Sequence, residues 1–354
     1  MDLMELRGLV QAPGPTISIM SEQSSVTKHM NNLMGKLLWV LAALATAGTA
    51  ANAVAASQPT PAAIEPLAVQ AQLNDVAAAG DKLVAVGERG IIITSQDGEE
   101  WTQVPSPVNA MLNAVTFADD QHGWAVGHDA SILYTGDGGQ SWSVQAFGGN
   151  GGNPFLDVLF TDAKTGYAVG AFGLFKVTDD GGKTWADLAD TTLSDNGFHM
   201  YDLLQADDGT FVLVGEMGLV AISVDGRNWV ILDVPYDGSL YSAIPEGERG
   251  LLVVGMRGNA FRTADLCNPQ WEPVSTGVEK PLFDLAQLGN GRVAAAGRSE
   301  KVVVLEAGRA PSVLEFADRP EGETLDEIFT VLLPWKGKLY AATGSGVQVI
   351  AALN

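Results

Sequence analysis

The chain has 354 residues and a formal net charge of −22, from 42 acidic against 20 Lys and Arg side chains, with one cysteine, Cys267. That charge argues against nucleic acid or an anionic membrane surface as partner, because both select a basic face. One thiol cannot close an intramolecular disulfide, so core packing and strand ladders must hold the fold.

From the N-terminus, residues 1–29 carry no periodicity and read as an extension outside the fold. Residues 30–55 read as a signal peptide. Lys28 and Lys36 precede an apolar run at 37–47, and Ala51-Asn52-Ala53 and Ala53-Val54-Ala55 offer small-residue cleavage sites. The run is well short of the roughly 20 residues that a membrane span needs. Residues 56–63 read as a linker and 64–354 as the folded part, enough for one large all-β domain.

Self-similarity dominates the rest. Leu73-Asn74-Asp75-Val76 recurs as Leu112-Asn113-Ala114-Val115, Phe155-Leu156-Asp157-Val158 and Met200-Tyr201-Asp202-Leu203. It continues as Leu240-Tyr241-Ser242-Ala243, Leu282-Phe283-Asp284-Leu285 and Ile328-Phe329-Thr330-Val331. Each copy is followed by a small apolar strand ending in glycine, at Gly87, Gly127, Gly170, Gly215, Gly255, Gly297 and Gly344, at intervals of 40 to 47 residues. Seven units of that period, each with four short alternating runs divided by Gly, Asp and Asn, predict an all-β, seven-bladed β-propeller of four-stranded blades. We name the strands a to d, outward from the central channel. The last unit stops without a strand d, and residues 64–70 look like an orphan strand. They are expected to pair beside residues 346–351 and close the last blade.

The turn between strands c and d carries an Asp-box. Thr135-Gly136-Asp137-Gly138-Gly139-Gln140-Ser141-Trp142 and Thr178-Asp179-Asp180-Gly181-Gly182-Lys183-Thr184-Trp185 match the full pattern. Asp97 and Asp225 mark versions one residue shorter, and Thr263-Ala264-Asp265 begins a degenerate fifth. These carboxylates are expected to accept N–H bonds inside their own turns while the tryptophan packs between blades. Each loop supplies too few oxygens for the six to eight ligands Ca²⁺ takes. No metal, cofactor or catalytic residue is therefore assigned. Asp75, Asp157, Asp202 and Asp284 share one column of strand a and are expected to bond to neighbouring backbone N–H groups.

The units resemble the BNR/Asp-box propellers, and His122-Gly123-Trp124-Ala125-Val126-Gly127 and Thr165-Gly166-Tyr167-Ala168-Val169-Gly170 are similar to lines of the photosystem II assembly and stability factor family. The resemblance spans residues 64–350. It implies a non-enzymatic assembly factor that binds a membrane-protein subunit through an Arg-containing surface. The partner would be a photosystem-like complex or a membrane transporter, and the protein a periplasmic or otherwise exported monomer.

The a–b and c–d turns emerge on one face of a propeller, and the b–c and d–a connections on the other. With the Asp boxes on the first, the second is expected to carry function. Its b–c loops offer Arg89, His128, Phe172, Met217, Arg257 and Arg298, and its longer d–a loops lie at 148–154, 194–200 and 318–325. Arg89, Arg257 and Arg298 would grip an acidic partner bidentately. Three arginines also suit a sialidase-like glycoside hydrolase, but that chemistry needs a nucleophile and an acid converging beside them. Tyr236 and Tyr241 have only Glu246 nearby in sequence.

Overall fold

The structure is a computed structural model that describes residues 58–298, 301–314 and 328–353. The segments read as an extension and a signal peptide, the loop at 318–325, and Ser299 and Glu300 lie outside the described residues. Twenty-seven strands form seven antiparallel sheets, six of four strands and one of three, in chain order. The first strands of successive blades contact one another in sequence, and the seventh, Phe329–Trp335, returns to the first, Leu73–Ala79. This is a closed seven-bladed propeller.

Sequence dictates the blade through a small set of local rules. Strand b is buried on both sides and is built from glycine and apolar or aromatic residues, as in Gly166–Gly170 and Phe211–Gly215. Its last glycine pairs with the first residue of strand a, as Gly87 does with Leu73 and Gly127 with Leu112. A Cβ on Gly127 would stand 2.1 Å from the Met111 carbonyl oxygen, and one on Gly215 2.4 Å from that of His199. Close backbone approach selects glycine here. In blade seven, however, Phe329 pairs with Thr343. The repeat there is thus Phe329-Thr330-Val331-Leu332, one residue later than the sequence pattern suggested. Thr343, not Gly344, fills the glycine position.

The Asp boxes behave as their chemistry requires. Asp180 accepts the Thr184 N–H (2.9 Å), the Thr184 hydroxyl (2.7 Å) and the Thr178 hydroxyl (2.9 Å). Asp137 accepts the N–H groups of Gln140 (3.0 Å) and Ser141 (2.9 Å), and Asp97 and Asp225 each accept two in the same way. Among the described residues no group of three or more His, Cys, Asp or Glu could hold a metal ion. Each box tryptophan packs into the core shared with the preceding blade: Trp142 against Val84 and Ile92, Trp229 against Val169 and Phe175. Trp335 on the same face is buried beneath the Lys336 ammonium, 4.3 Å from its ring.

Closure differs from expectation. Residues 64–70 form no strand: a turn leads into a single 3-10 turn at Ala68–Gln70, and among the described residues strand c of blade seven, Gly346–Ala352, pairs only with strand b. The local i→i+3 bond from the Gln70 N–H to the Leu67 carbonyl (2.9 Å) competes with extended pairing. The segment still straddles the joint. Gln103 on strand d of blade one holds it by donating to the Ala63 carbonyl (2.8 Å) and accepting the Glu65 N–H (2.7 Å), and Ala68 joins the core between blades one and seven.

Hydrogen bonds between first strands close every joint. Asn74 donates to the Leu112 carbonyl (2.8 Å), Asn113 to that of Phe155 (2.7 Å), and Asp157 accepts the Leu203 N–H (2.7 Å). Asp202 accepts the Ala243 N–H (2.9 Å), Ser242 donates to Asp284 (3.1 Å), and Asp284 accepts the Leu332 N–H (2.6 Å). The Thr330 hydroxyl then shares its proton between the carbonyls of Leu73 (2.9 Å), across the final joint, and Ala342 (3.0 Å). Thr330→Val keeps the shape but strands two acceptors. It should lower unfolding free energy in a denaturant titration by about 1–2 kcal/mol, with Thr330→Ser restoring most of it. A valine variant as stable as the parent would show that this joint does not rely on the hydroxyl.

Candidate partner-binding face

In blades one to five the b–c loop is built on the frame Gly-x-x-Gly, or Gly-x-x-Ala in blade two: 87–90, 127–130, 170–173, 215–218 and 255–258. The first residue after the leading glycine donates its N–H to the residue that precedes strand a. Glu88 bonds Gln72 (3.0 Å), His128 Met111 (2.8 Å), Ala171 Pro154 (3.1 Å), Glu216 His199 (2.9 Å) and Met256 Ser239 (2.9 Å). The next residue is the tip, and in every case it adopts the left-handed conformation: Arg89 (φ 54°), Asp129 (56°), Phe172 (58°), Met217 (55°) and Arg257 (58°). All five are exposed. Left-handed backbone at a residue other than glycine costs on the order of 1–3 kcal/mol and persists only where its surroundings impose it. Here the bolted loop imposes it, and the side chain is held out in water.

The candidates fall into two classes. Arg89, Phe172, Met217 and Arg257 are tips, whereas His128 and Arg298 stand one position earlier, His128 beside the tip Asp129. The Arg298 N–H bonds the Pro281 carbonyl (3.0 Å), the equivalent of Glu88 rather than of Arg89. All three arginines lie on this face, and none is within ion-pair distance of another's carboxylate partner. Arg89 stands 3.9 Å from its neighbour Glu88, with 73% of its side chain exposed, so this contact leaves the guanidinium available. Among the described residues no carboxylate pairs with Arg257 or Arg298. From sequence alone one residue per loop was named, without a common position in the loop. The positive φ chooses, and the Gly-x-x-Gly frame was the signal that could have shown it.

A second feature was not anticipated. The rings of Phe172 and His199 (centroids 4.8 Å apart), His199 and Tyr201 (6.2 Å), Tyr201 and Tyr241 (5.0 Å), and Tyr241 and Phe283 (5.3 Å) form a continuous chain. Phe172 is a tip, His199 precedes strand a of blade four, and the other three are second residues of strand a in blades four, five and six. The arc thus runs from the rim to the channel mouth. Glu216 accepts the His199 N–H (2.9 Å), its other oxygen lies 3.8 Å from His199 Nδ1, and burial lifts the Tyr201 hydroxyl to about 12.

No hydrolase pair assembles from the tyrosines. Glu246 is the last residue of the strand that Tyr241 nearly begins, about 16 Å away at the usual strand rise, and Arg262 grips it through both oxygens. Tyr236 donates instead to the Met256 carbonyl (3.2 Å).

The carboxyls of strand a lie below this mouth. Burial pushes Asp75 and Asp284 up to about 7 against the opposing N–H bonds, and raises Asp157 and Asp202 as well. A carboxyl that binds its proton more tightly folded than unfolded contributes stability that is full below about pH 4 and lost as pH rises through about 7. The Asp boxes act elsewhere on the scale: the Glu100 N–H holds Asp97, and the Thr184 N–H holds Asp180, below the usual range. The melting temperature should therefore rise as pH is lowered from 8 to about 5.5, and Asp75→Asn with Asp284→Asn should flatten that slope. An unchanged slope in the double variant would place its origin outside the ring.

A closed seven-bladed propeller with Asp boxes on one face and bolted, projecting tips on the other is a propeller of the BNR type. The family model for the photosynthesis system II assembly factor YCF48 matches residues 93–347, and the chain belongs to that family. It is 42% identical over 52 residues to the chloroplastic photosystem II stability/assembly factor HCF136 of Cyanidioschyzon merolae, covering 14% of this chain and 12% of that one. It is 34% identical over 59 residues to the photosystem II assembly protein Ycf48 of Thermosynechococcus vestitus, 17% of each. These alignments thus span less than a fifth of either relative. Among solved structures, YCF48 bound to D1 peptide superposes with a TM-score of 0.66 at 19% identity, over 84% of this chain and all of that one. An ancestral GH74 enzyme shares the fold at a TM-score of 0.64 and 13% identity, over 82% of this chain and 45% of that one.

Proposed function

We propose that this chain is an exported, non-enzymatic assembly factor that captures a segment of a membrane-associated protein on the b–c face. One observation carries the reading: the backbone is strained at the same position of five successive blades, and each strained residue projects an exposed side chain on one face. Catalysis would instead ask for converging acid and base groups, and the tips carry mainly arginine and apolar side chains. Membership of the YCF48 family and the relative solved with D1 peptide support a photosystem II subunit as the client over a membrane transporter. Export rests on the N-terminal pattern, and a monomer suffices because the ring closes on itself.

Arg89 and Arg257 contribute short-range contacts to acidic groups of the client, because a domain of charge −22 repels such groups at longer range. Replacing both with Ala should weaken co-purification of the client from solubilised membranes and leave the melting temperature within about a degree, since exposed arginines add little stability. Undiminished capture by the double variant would remove the arginines from the site.

A further inference from the structure

We propose that the aromatic arc Phe172–His199–Tyr201–Tyr241–Phe283 is a second subsite on this face, and that it takes a Lys or Arg side chain of the partner segment together with an apolar neighbour. The inference rests on the reading of this face as the partner-binding face and adds the chemistry of the segment.

Its geometry is the first argument. Successive rings meet edge to face or tilted, at interplanar angles of 80°, 75°, 58° and 73°, so ring faces are not all used against one another. Tyr201, Tyr241, Phe283 and His199 are half-buried, while Phe172 and the next tip, Met217, are 63% and 60% exposed. A run of π surface ending in two solvated apolar tips has the form of an unfilled contact.

Charge selects the occupant. A cation over an aromatic face is attracted by the ring quadrupole, and the attraction grows when a carboxylate stands beside it. Glu216 is that carboxylate, 34% exposed, with one oxygen accepting the His199 N–H, the other 3.8 Å from the His199 ring nitrogen, and the Tyr201 hydroxyl beside it. The whole domain is strongly acidic as well. Arg257 is at the tip of blade five, where its field falls on Tyr236. An acidic side chain would meet Glu216 and is rejected. Met217 and Phe172 then cover the apolar neighbour of the basic residue. The face is thereby polarised, with arginine tips for acidic groups of the segment and the arc for a basic one.

The test uses the full chain and short synthetic alanine–leucine peptides with a central lysine, norleucine or glutamate, with affinity followed by tyrosine fluorescence and calorimetry. The lysine peptide should bind about tenfold more tightly than its norleucine isostere and lose that margin in high salt. Glu216→Gln, which keeps an acceptor for the His199 N–H, and Tyr241→Leu should each erase most of the margin. Phe172→Ser, at an exposed tip that cannot unfold the core, should weaken lysine and norleucine peptides alike. Arg89→Ala with Arg257→Ala should leave the lysine margin intact, which separates this subsite from the membrane-capture reading. Equal affinity for lysine and norleucine, preference for glutamate, or no binding of any peptide would overturn the proposal, whatever the arginine variants do to capture.

Discussion

The inner edge of strand a is the constraint on which the molecule depends. Each blade is hydrogen-bonded outward through strands b, c and d, but the first strand turns its other edge to the channel, where no further strand can pair. Peptide groups left there without partners would carry a heavy desolvation cost. Side chains from the neighbouring blade meet them. Asp75, Asp157, Asp202 and Asp284 accept N–H groups of the next strand, while Asn74, Asn113 and Thr330 donate to carbonyls. The same bonds that satisfy the edge therefore join the blades. In blade five a serine replaces the acid and donates to the Asp284 carboxyl that already serves blade seven. The ring so formed needs no shared strand to close, which is consistent with a last blade of three strands among the described residues.

That ring sets the geometry of the outer face. Each strand a begins at the b–c side, and the residue before it accepts the N–H that fixes the adjoining b–c loop. A loop tied at this point to a strand that is itself tied to its neighbour has little freedom, so it can hold a left-handed tip at Arg89, Phe172, Met217 and Arg257. The opposite face is tied differently, by Asp boxes whose hydrogen bonds are local to the turn. The two faces are thus held by unrelated chemistry. The aromatic arc joins both systems, since Tyr201, Tyr241 and Phe283 share strand a with the inter-blade bonds.

Much of this was legible in the sequence because the decisive interactions are short in range. The seven units, the glycine column and the Asp boxes each express contacts within a hairpin, and they predicted the blades and the role of Asp97, Asp137, Asp180 and Asp225. Family membership followed from the same lines. The failures concern longer-range geometry. Residues 64–70 have a strand-like composition, but their i→i+3 bond and the grip of Gln103 make a cap instead. In blade seven the loss of the glycine to Thr343 removed the register mark and moved the reading by one residue. The arc escaped notice because its rings come from blades three to six, and each alone looks like an ordinary core aromatic. Which b–c residue forms the tip was decided by a backbone dihedral that residue type does not encode and that only the Gly-x-x-Gly spacing marks.

The central claim is that partners meet the face bearing the b–c tips and the channel mouth, not the Asp-box face. Amide hydrogen exchange of the full chain, with and without solubilised membranes that contain the captured client, tests it directly. Added protection is expected at 88–90, 171–173, 216–218 and 256–258 and at the first residues of strand a in blades four and five. The turns around Asp97, Asp137, Asp180 and Asp225 should exchange as before. Protection confined to those turns, with the tips unaffected, would contradict the account.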